Sequence, residues 1–326
     1  MKNIVLTLDY ELFFGVNSGS VENCIVRPID LLIKLFDKYD CKMTIFWDVL
    51  HYMKAKELNV VNEIVQIEES IKKLVTYGHD VQLHIHSHWI DAQYKDGNWK
   101  FPTYKHYSLQ SFNKPKILEI VTNAKNTIEN ITKQKITTFR AGGWQIEPFE
   151  YLKDAFLQND IFIDSSVAFD KVQTGKIINF DFSDFPKDAI YRFEDTPKVK
   201  VDNGSFVEYQ IKSIKIPNYI LVLSYIKKIL FKESYPVLGD GQGAGSIGFR
   251  KIDKYKTLLK RVLFGSHDML SLEFTSKVVF KHMINKATTN SVMIGHPKSI
   301  GYKHIDVLEE ILQSKQIKFI SLKEII

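Results

Sequence analysis

The sequence has few cysteines and no long apolar run. Its two cysteines, Cys24 and Cys41, do not form a CxxC pair, so neither a disulfide framework nor a zinc ribbon is indicated. No apolar stretch approaches the ~20 residues that a transmembrane helix needs. The apolar part of the amino terminus is too short for a signal peptide and runs directly into a predicted strand. We therefore expect a cytoplasmic protein.

The charge pattern argues against a nucleic-acid-binding protein. Much of the net charge of +6 comes from scattered lysines. Basic residues are not clustered with aromatic residues, and no nucleic-acid-binding motif is present. The positive excess allows a modest attraction for anionic partners such as nucleotide sugars or lipid phosphates. Hydrophobic residues make up 44% and charged residues 25% of the chain, which is ordinary for a globular protein.

Three histidines, His84, His86 and His88, lie within five residues at the end of a predicted strand. In α/β folds the loops at the carboxyl ends of strands carry the chemistry. In one helical turn, His84 and His88 share a face and His86 points away. In an extended segment all three share a face. Either geometry can bind a metal through neutral imidazole nitrogens, so we predict a metal site here.

The first predicted strand ends in two carboxylates. Residues two apart in a strand face the same side, so Asp9 and Glu11 point together and Tyr10 points away. Neighbouring carboxylates repel each other unless a cation or a shared proton relieves them. Because a histidine cluster is present elsewhere in the chain, we interpret Asp9 and Glu11 as a metal-bound pair.

Predicted strands alternate with predicted helices over residues 1–169, and a late buried strand ends in His296. This order predicts parallel strands with helices outside them, an α/β protein. Arg140 and Asp164 stand at two further strand ends. In a closed parallel barrel these polar groups would meet on one face.

The pattern changes between residues 170 and 289. Alternating apolar and polar residues at 180–185 and 205–209 suggest antiparallel strands in an insertion packed on the barrel. Residues 217–231 predict a helix that either packs on the body or touches a membrane surface and helps to reach a lipid-linked substrate. Residues 243–248 match GxGxxG, but no clear buried strand precedes them, so we expect a loop near the site mouth rather than a dinucleotide site.

Five motifs in order resemble the polysaccharide deacetylase family, the metal-dependent N-deacetylases that share the NodB-homology domain. They are residues 6–11, His84 with His88, residues 140–144, residues 163–166 and residues 294–296. The resemblance covers about residues 1–168 and 290–326. It implies a distorted parallel β/α barrel formed by residues 1–169 and 290–326, with residues 170–289 inserted.

The resemblance also implies an activity, the removal of an acetyl group from an N-acetylated sugar. It implies a divalent metal, for which we expect zinc, held by Glu11, His84 and His88. The implied catalytic residues are Asp9 as the general base, Arg140 orienting it, His296 as the general acid and Asp164 holding that acid. The implied substrate contacts are Trp144 and Gly143. The family commonly has two adjacent aspartates where this chain has Asp9-Tyr10-Glu11, so the division of roles between the two carboxylates stays open.

Two other functions fit the same residues. One is a metal-dependent amidase or deformylase that acts on a different C–N bond. The other is a degenerate relative that binds a sugar without turnover. For the deacetylase we expect an intracellular, nucleotide-linked or lipid-linked precursor of a surface polysaccharide as the substrate.

Overall fold

The structure, a computed structural model, describes residues 1–175, 177–243 and 261–326. The strands in these residues are β1 (Lys2–Tyr10), β2 (Gly15–Asn17), β3 (Thr44–Asp48), β4 (Asp80–Ile85), β5 (Gln93–Lys95), β6 (Asn98–Lys100), β7 (Thr138–Ala141), β8 (Ile163–Asp164), β9 (Val172–Gln173), β10 (Phe180–Asp181), β11 (Ile190–Phe193), β12 (Phe206–Tyr209), β13 (Ser213–Ile216), β14 (Gln242–Gly243), β15 (Ser266–Met269), β16 (Ser291–Gly295) and β17 (Ile317–Ile320). The α-helices are α1 (Arg27–Lys38), α2 (Val49–Glu57), α3 (Val61–Thr76), α4 (Lys114–Thr132), α5 (Lys153–Gln158), α6 (Asn218–Phe231), α7 (Lys277–Lys286) and α8 (Tyr302–Gln313).

A curled sheet of nine strands lies at the centre of the described structure. Its strand order is β11-β12-β8-β7-β4-β3-β1-β16, and β17 also pairs with β1. All of these pairs are parallel except β11 with β12. Parallel strands need both faces covered, which explains why β1 and β4 consist almost entirely of buried residues. The prediction of a parallel α/β barrel is confirmed.

Local sequence signals explain where the outer helices begin and end. A π-helical turn, Glu22–Val26, runs directly into α1, and Pro28 stands in the first turn of the α-helical part. Asn113 caps α4 by accepting a hydrogen bond from the backbone N–H of Lys116 at 3.0 Å. Lys133 ends that helix in the left-handed conformation. No helix among the described residues is both long enough and apolar enough to cross a membrane.

Residues from the 170–289 stretch complete the barrel wall. β12 lies in the main sheet, parallel to β8. Ile211 forms a parallel bridge to Val292 of β16. The backbone N–H of Leu272 donates to the carbonyl oxygen of Ile294 at 2.9 Å, and the N–H of Ile294 donates to that of Leu270 at 3.0 Å. The stretch that sequence analysis expected to pack on the barrel therefore contributes to the barrel itself.

The glycine-rich stretch begins beside the strand ends. β14 pairs with β2, which follows β1 directly. Gly243 lines a cavity of about 180 Å³ together with Glu11 and His86. The rest of the GxGxxG match, residues 244–248, lies outside the described residues.

Candidate active site and metal centre

Four parallel strands of the sheet bring the predicted polar groups to one edge, with β3 lying between β4 and β1. β7, β4, β1 and β16 carry Arg140, His84, Asp9 and, one residue past the strand end, His296. The register places His84 beside Arg140 and Leu8 beside Gly295. Because all four strands are parallel, their carboxyl ends meet, and so do these side chains.

Glu11 is the centre of the cluster. Its Oε2 lies 3.1 Å from Nε2 of His84 and 2.5 Å from Nε2 of His86. Its Oε1 accepts a hydrogen bond from Nζ of Lys298 at 2.7 Å. Burial alone would raise the pKa of Glu11, but Lys298 and the histidines hold it well below its usual range. Glu11 is therefore a buried carboxylate surrounded by nitrogen atoms.

The ring of His84 is fixed by the neighbouring strand. Its Nδ1–H donates to the carbonyl oxygen of Arg140 at 2.8 Å, which turns Nε2 towards Glu11. One ligand atom each from Glu11, His84 and His86 lie within 4.8 Å of one another. A carboxylate with two imidazoles, one of them held through its other nitrogen, is a donor set that suits a divalent metal. The residues present therefore fit the expected metal.

The structure places His86, and not His88, in this group. β4 stays extended through Ile85, so His84 and His86 lie on one face of the strand. A 3₁₀ turn then begins at Ser87 and carries His88 away from that face. The sequence left a helical and an extended geometry open for the three histidines. The extended geometry applies to His84 and His86 only.

His88 lies in an aromatic pocket next to the cluster. Its ring centroid is 4.2 Å from that of Phe14 and 5.7 Å from that of Tyr107. Among the described residues neither ring nitrogen has a hydrogen-bond partner. Burial lowers the pKa of His88 well below its usual range, so the ring is neutral.

The buried Arg140 holds Asp9. Its guanidinium donates to Asp9 Oδ1 at 2.6 Å, to Thr7 Oγ1 at 2.9 Å and to the carbonyl oxygen of Ser165 at 2.7 Å. It also lies over the ring of Phe46, 4.1 Å from the centroid. Burial alone would raise the pKa of Asp9, but the charges of Arg140, His84 and His296 together leave it below its usual range. Asp9 is therefore an ionised carboxylate in a fixed orientation.

His296 is held by Glu273 and not by Asp164. Nδ1 of His296 is hydrogen-bonded to Glu273. Its Nε2 lies 3.6 Å from Asp9 Oδ2 and 3.5 Å from Glu11 Oε1. Burial alone would lower the pKa of His296, but Glu273 and the other two carboxylates raise it to about 9.

Asp164 points into the barrel wall instead. It accepts hydrogen bonds from Ser166, through Oγ at 2.6 Å and through the backbone N–H at 3.2 Å. In the sheet it pairs with Glu208 of β12. Burial and the neighbouring Asp164 raise the pKa of Glu208 well above its usual range. The strand that pairs Asp164 with Glu208 comes from the 170–289 stretch.

The predicted substrate contacts lie at the mouth of the site. Gly143 has φ +61°, and a Cβ there would lie 2.8 Å from the ring of Tyr107. Only glycine fits this turn without strain or displacement. Trp144 is partly buried, and its ring meets that of Phe180 edge to face at 5.4 Å. Trp144 also lines a cleft of about 800 Å³ that reaches Glu273.

Sequence reasoning missed two charged residues of the site, Glu273 and Lys298. Lys298 stands two residues after His296, so its position just beyond a strand end was a usable signal. Glu273 had no such signal, because no motif marks the stretch around it.

Comparison with known proteins identifies the fold. No family model and no curated protein matches the sequence. A candidate polysaccharide deacetylase from Mycobacterium smegmatis matches with 13% identity and a TM-score of 0.50, over 99% of this chain and 88% of that one. A family 4 carbohydrate esterase from Streptomyces lividans in complex with acetate matches with 8% identity and a TM-score of 0.42, over 98% and 91%. A family 4 pseudoenzyme from Bacillus anthracis matches with 12% identity and a TM-score of 0.41, over 99% and 64%.

Proposed function

The chain has the fold of the polysaccharide deacetylases, and from this premise we propose that it is a metal-dependent hydrolase that removes the acetyl group of an N-acetylated sugar. The fold alone does not determine an activity. The observation that carries the proposal is the buried Glu11–His84–His86 group, which lies between a fixed carboxylate, Asp9, and a protonated imidazole, His296. Metal-dependent amide hydrolysis uses such a combination of metal, base and acid.

Glu11, His84 and His86 are the proposed metal ligands. When bound, a divalent ion there supplies Lewis-acid chemistry, polarising the acetyl carbonyl group and lowering the pKa of water. We propose zinc, because two histidines and a carboxylate are ligands that it accepts readily. The sequence predicted His88 as a metal ligand, where we now propose His86. The aromatic pocket around His88 supports this change of ligand.

Asp9 is the proposed general base. It is ionised, and Arg140 occupies its Oδ1, so its orientation is fixed while Oδ2 faces the site. Arg140 is fixed in turn by Thr7 and Ser165. A carboxylate held in this way can accept the proton of an attacking water without reorganising its own surroundings.

His296 is the proposed general acid. Its raised pKa means that the ring carries its proton at neutral pH. Glu273 binds Nδ1, which leaves the proton on Nε2 facing Asp9 and Glu11. A proton at that position can be donated to the departing amine.

The proposed substrate is a phosphate-bearing sugar precursor, nucleotide-linked or lipid-linked, inside the cell. The cleft of about 800 Å³ that reaches Glu273 carries three basic side chains, Lys171, Lys228 and Arg261. Of these, Arg261 is paired with Asp268 at 2.6 Å. Trp144 and Phe180 give the same cleft an aromatic wall. Cationic and aromatic groups side by side suit a sugar that carries phosphate.

The test measures released acetate from N-acetylated sugars, free, nucleotide-linked and lipid-linked, together with the metal content of the protein. We expect acetate release that is lost on chelation and in Glu11→Gln. Release of formate instead, or cleavage of a cyclic amide, would replace the deacetylase by another amidase. Metal binding without any release of product would indicate a sugar-binding protein.

A further inference from the structure

Helix α6 exposes its apolar side. Its exposed stripe consists of Tyr219, Val222, Leu223, Ile226 and Leu230, which recur at the spacing of one helix face. Leu230 retains 68% of its accessible surface. On a helix that only packs on a barrel, such residues face inward and polar residues face water.

Two polar residues of α6, Ser224 and Lys228, face inward. Ser224 is buried, and Nζ of Lys228 donates to Oγ1 of Thr275 at 3.0 Å. Both line the cleft of about 800 Å³ that reaches Glu273. The inner side of α6 therefore belongs to the proposed substrate cleft, and its outer side is an apolar surface.

The apolar surface continues beyond both ends of the exposed stripe. Near its beginning, the side-chain amide of Asn218 donates to the carbonyl oxygen of Leu263 at 3.5 Å. Leu263 and Phe264 are 56% and 80% exposed. At its end Phe231 is 73% exposed. A contiguous apolar surface of this kind marks an interaction site rather than ordinary surface scatter.

The charge on α6 indicates the kind of partner. Residues 218–232 contain Lys227, Lys228 and Lys232 and no acidic residue. A helix with apolar residues on one face and lysines beside them suits an anionic lipid surface. Two copies meeting through this face would bring their lysines together without an acidic partner on the helix.

We propose that the outer face of α6 docks on an anionic lipid bilayer. The helix then lies in the interfacial region, with its apolar stripe in the lipid and Lys227 and Lys232 at the lipid phosphates, while Lys228 stays in the cleft. The substrate part of this inference rests on the proposed function. The substrate is a lipid-linked N-acetylated sugar, and its sugar and phosphate enter the cleft from the membrane on which α6 is docked. Lys228 lies in that cleft, where it can contact the phosphate.

The test is co-sedimentation of the full chain with vesicles of phosphatidylcholine, alone or mixed with phosphatidylglycerol. We expect binding to the mixed vesicles that weakens with salt and is weaker on phosphatidylcholine alone. Replacing Ile226 and Leu230 together by Gln should lower the partition coefficient by about tenfold or more, because both side chains leave the lipid. The matched control replaces the exposed Val61 and Val65 of α3 by Gln and should bind as the wild type does.

Three results would overturn the docking surface. They are no binding by the wild-type chain, equal binding by the α6 variant, and a wild-type dimer that the α6 substitutions dissociate, since a second copy would then cover this face. Assays of acetate release distinguish a failure of the docking surface from a failure of the proposed function. The α6 variant should act on a water-soluble N-acetylated sugar at the wild-type rate and lose rate only on a lipid-linked sugar in vesicles. If no sugar releases acetate, the deacetylase proposal fails while the sedimentation result still decides the docking surface.

Discussion

Glu273→Gln removes the carboxylate that keeps His296 protonated. The pKa of His296 stands at about 9 in the folded chain against an ordinary value of 6.5, with Glu273 as the largest cause of the increase. At 1.36 kcal/mol per pH unit, this difference contributes about 3 kcal/mol to the free energy of unfolding. Because the pKa is raised on folding, this stabilisation is complete below pH 6.5 and disappears as the pH rises through about 9. We expect Glu273→Gln to lose most of this contribution to the free energy of unfolding.

The assay is urea unfolding of chelator-treated protein at a series of pH values from about 6 to about 10. The variant should be less stable by up to about 3 kcal/mol at the acidic end and nearly equal to the wild type at the alkaline end. Asp164→Asn is the matched control, since it removes the partner that the sequence predicted for His296. It should leave the part of the pH dependence that His296 contributes unchanged, because Asp164 lies with Ser166 and Glu208. A loss independent of pH in Glu273→Gln, or loss of the pH dependence in Asp164→Asn, would refute the assignment.

Three further predictions concern the metal and the base. His86→Ala should lose the divalent metal and His88→Ala should keep it, as measured by elemental analysis, and the opposite result would restore the ligand pair expected from the sequence. Asp9→Asn should keep the metal and lose turnover, and it should destabilise the chain by about 3–5 kcal/mol in thermal or urea unfolding, because Arg140 is left buried without a counter-charge. Lys298→Met should raise the pKa of the Glu11 carboxyl. As the pH is lowered, the variant should therefore lose its metal at a higher pH than the wild type does, and an unchanged titration of metal content would contradict this.

The sequence was sufficient to predict the barrel and much of the site because both follow from the strands. Alternating strands and helices predict parallel pairing, and parallel pairing brings the strand ends together. Asp9, Arg140 and His296 could therefore be grouped although they are far apart in the chain. Their actual contacts, 2.6 Å from Arg140 to Asp9 and 3.6 Å from His296 to Asp9, agree with that grouping.

The rest depends on details that no local pattern encodes. Whether His86 or His88 approaches Glu11 is decided by the residue at which β4 gives way to a 3₁₀ turn, and such boundaries are the least predictable part of an element. The partner of His296 depends on the path of the 170–289 stretch, in which no motif marks the residues around Glu273. Glu273 reaches His296 by that path, and Asp164 was expected there because the family resemblance implied that role.

The seam of the barrel also acts as a check on complete folding. The hydrogen bonds of Leu270 and Leu272 to Ile294 close the wall beside β16, and Glu273 is the very next residue. Glu273 therefore reaches His296 only when the last gap in the wall has closed. In a chain with an open seam, His296 would lack the carboxylate that contributes most to its raised pKa, and the proposed general acid would hold its proton less firmly. The activity proposed for the chain therefore depends on a closed seam.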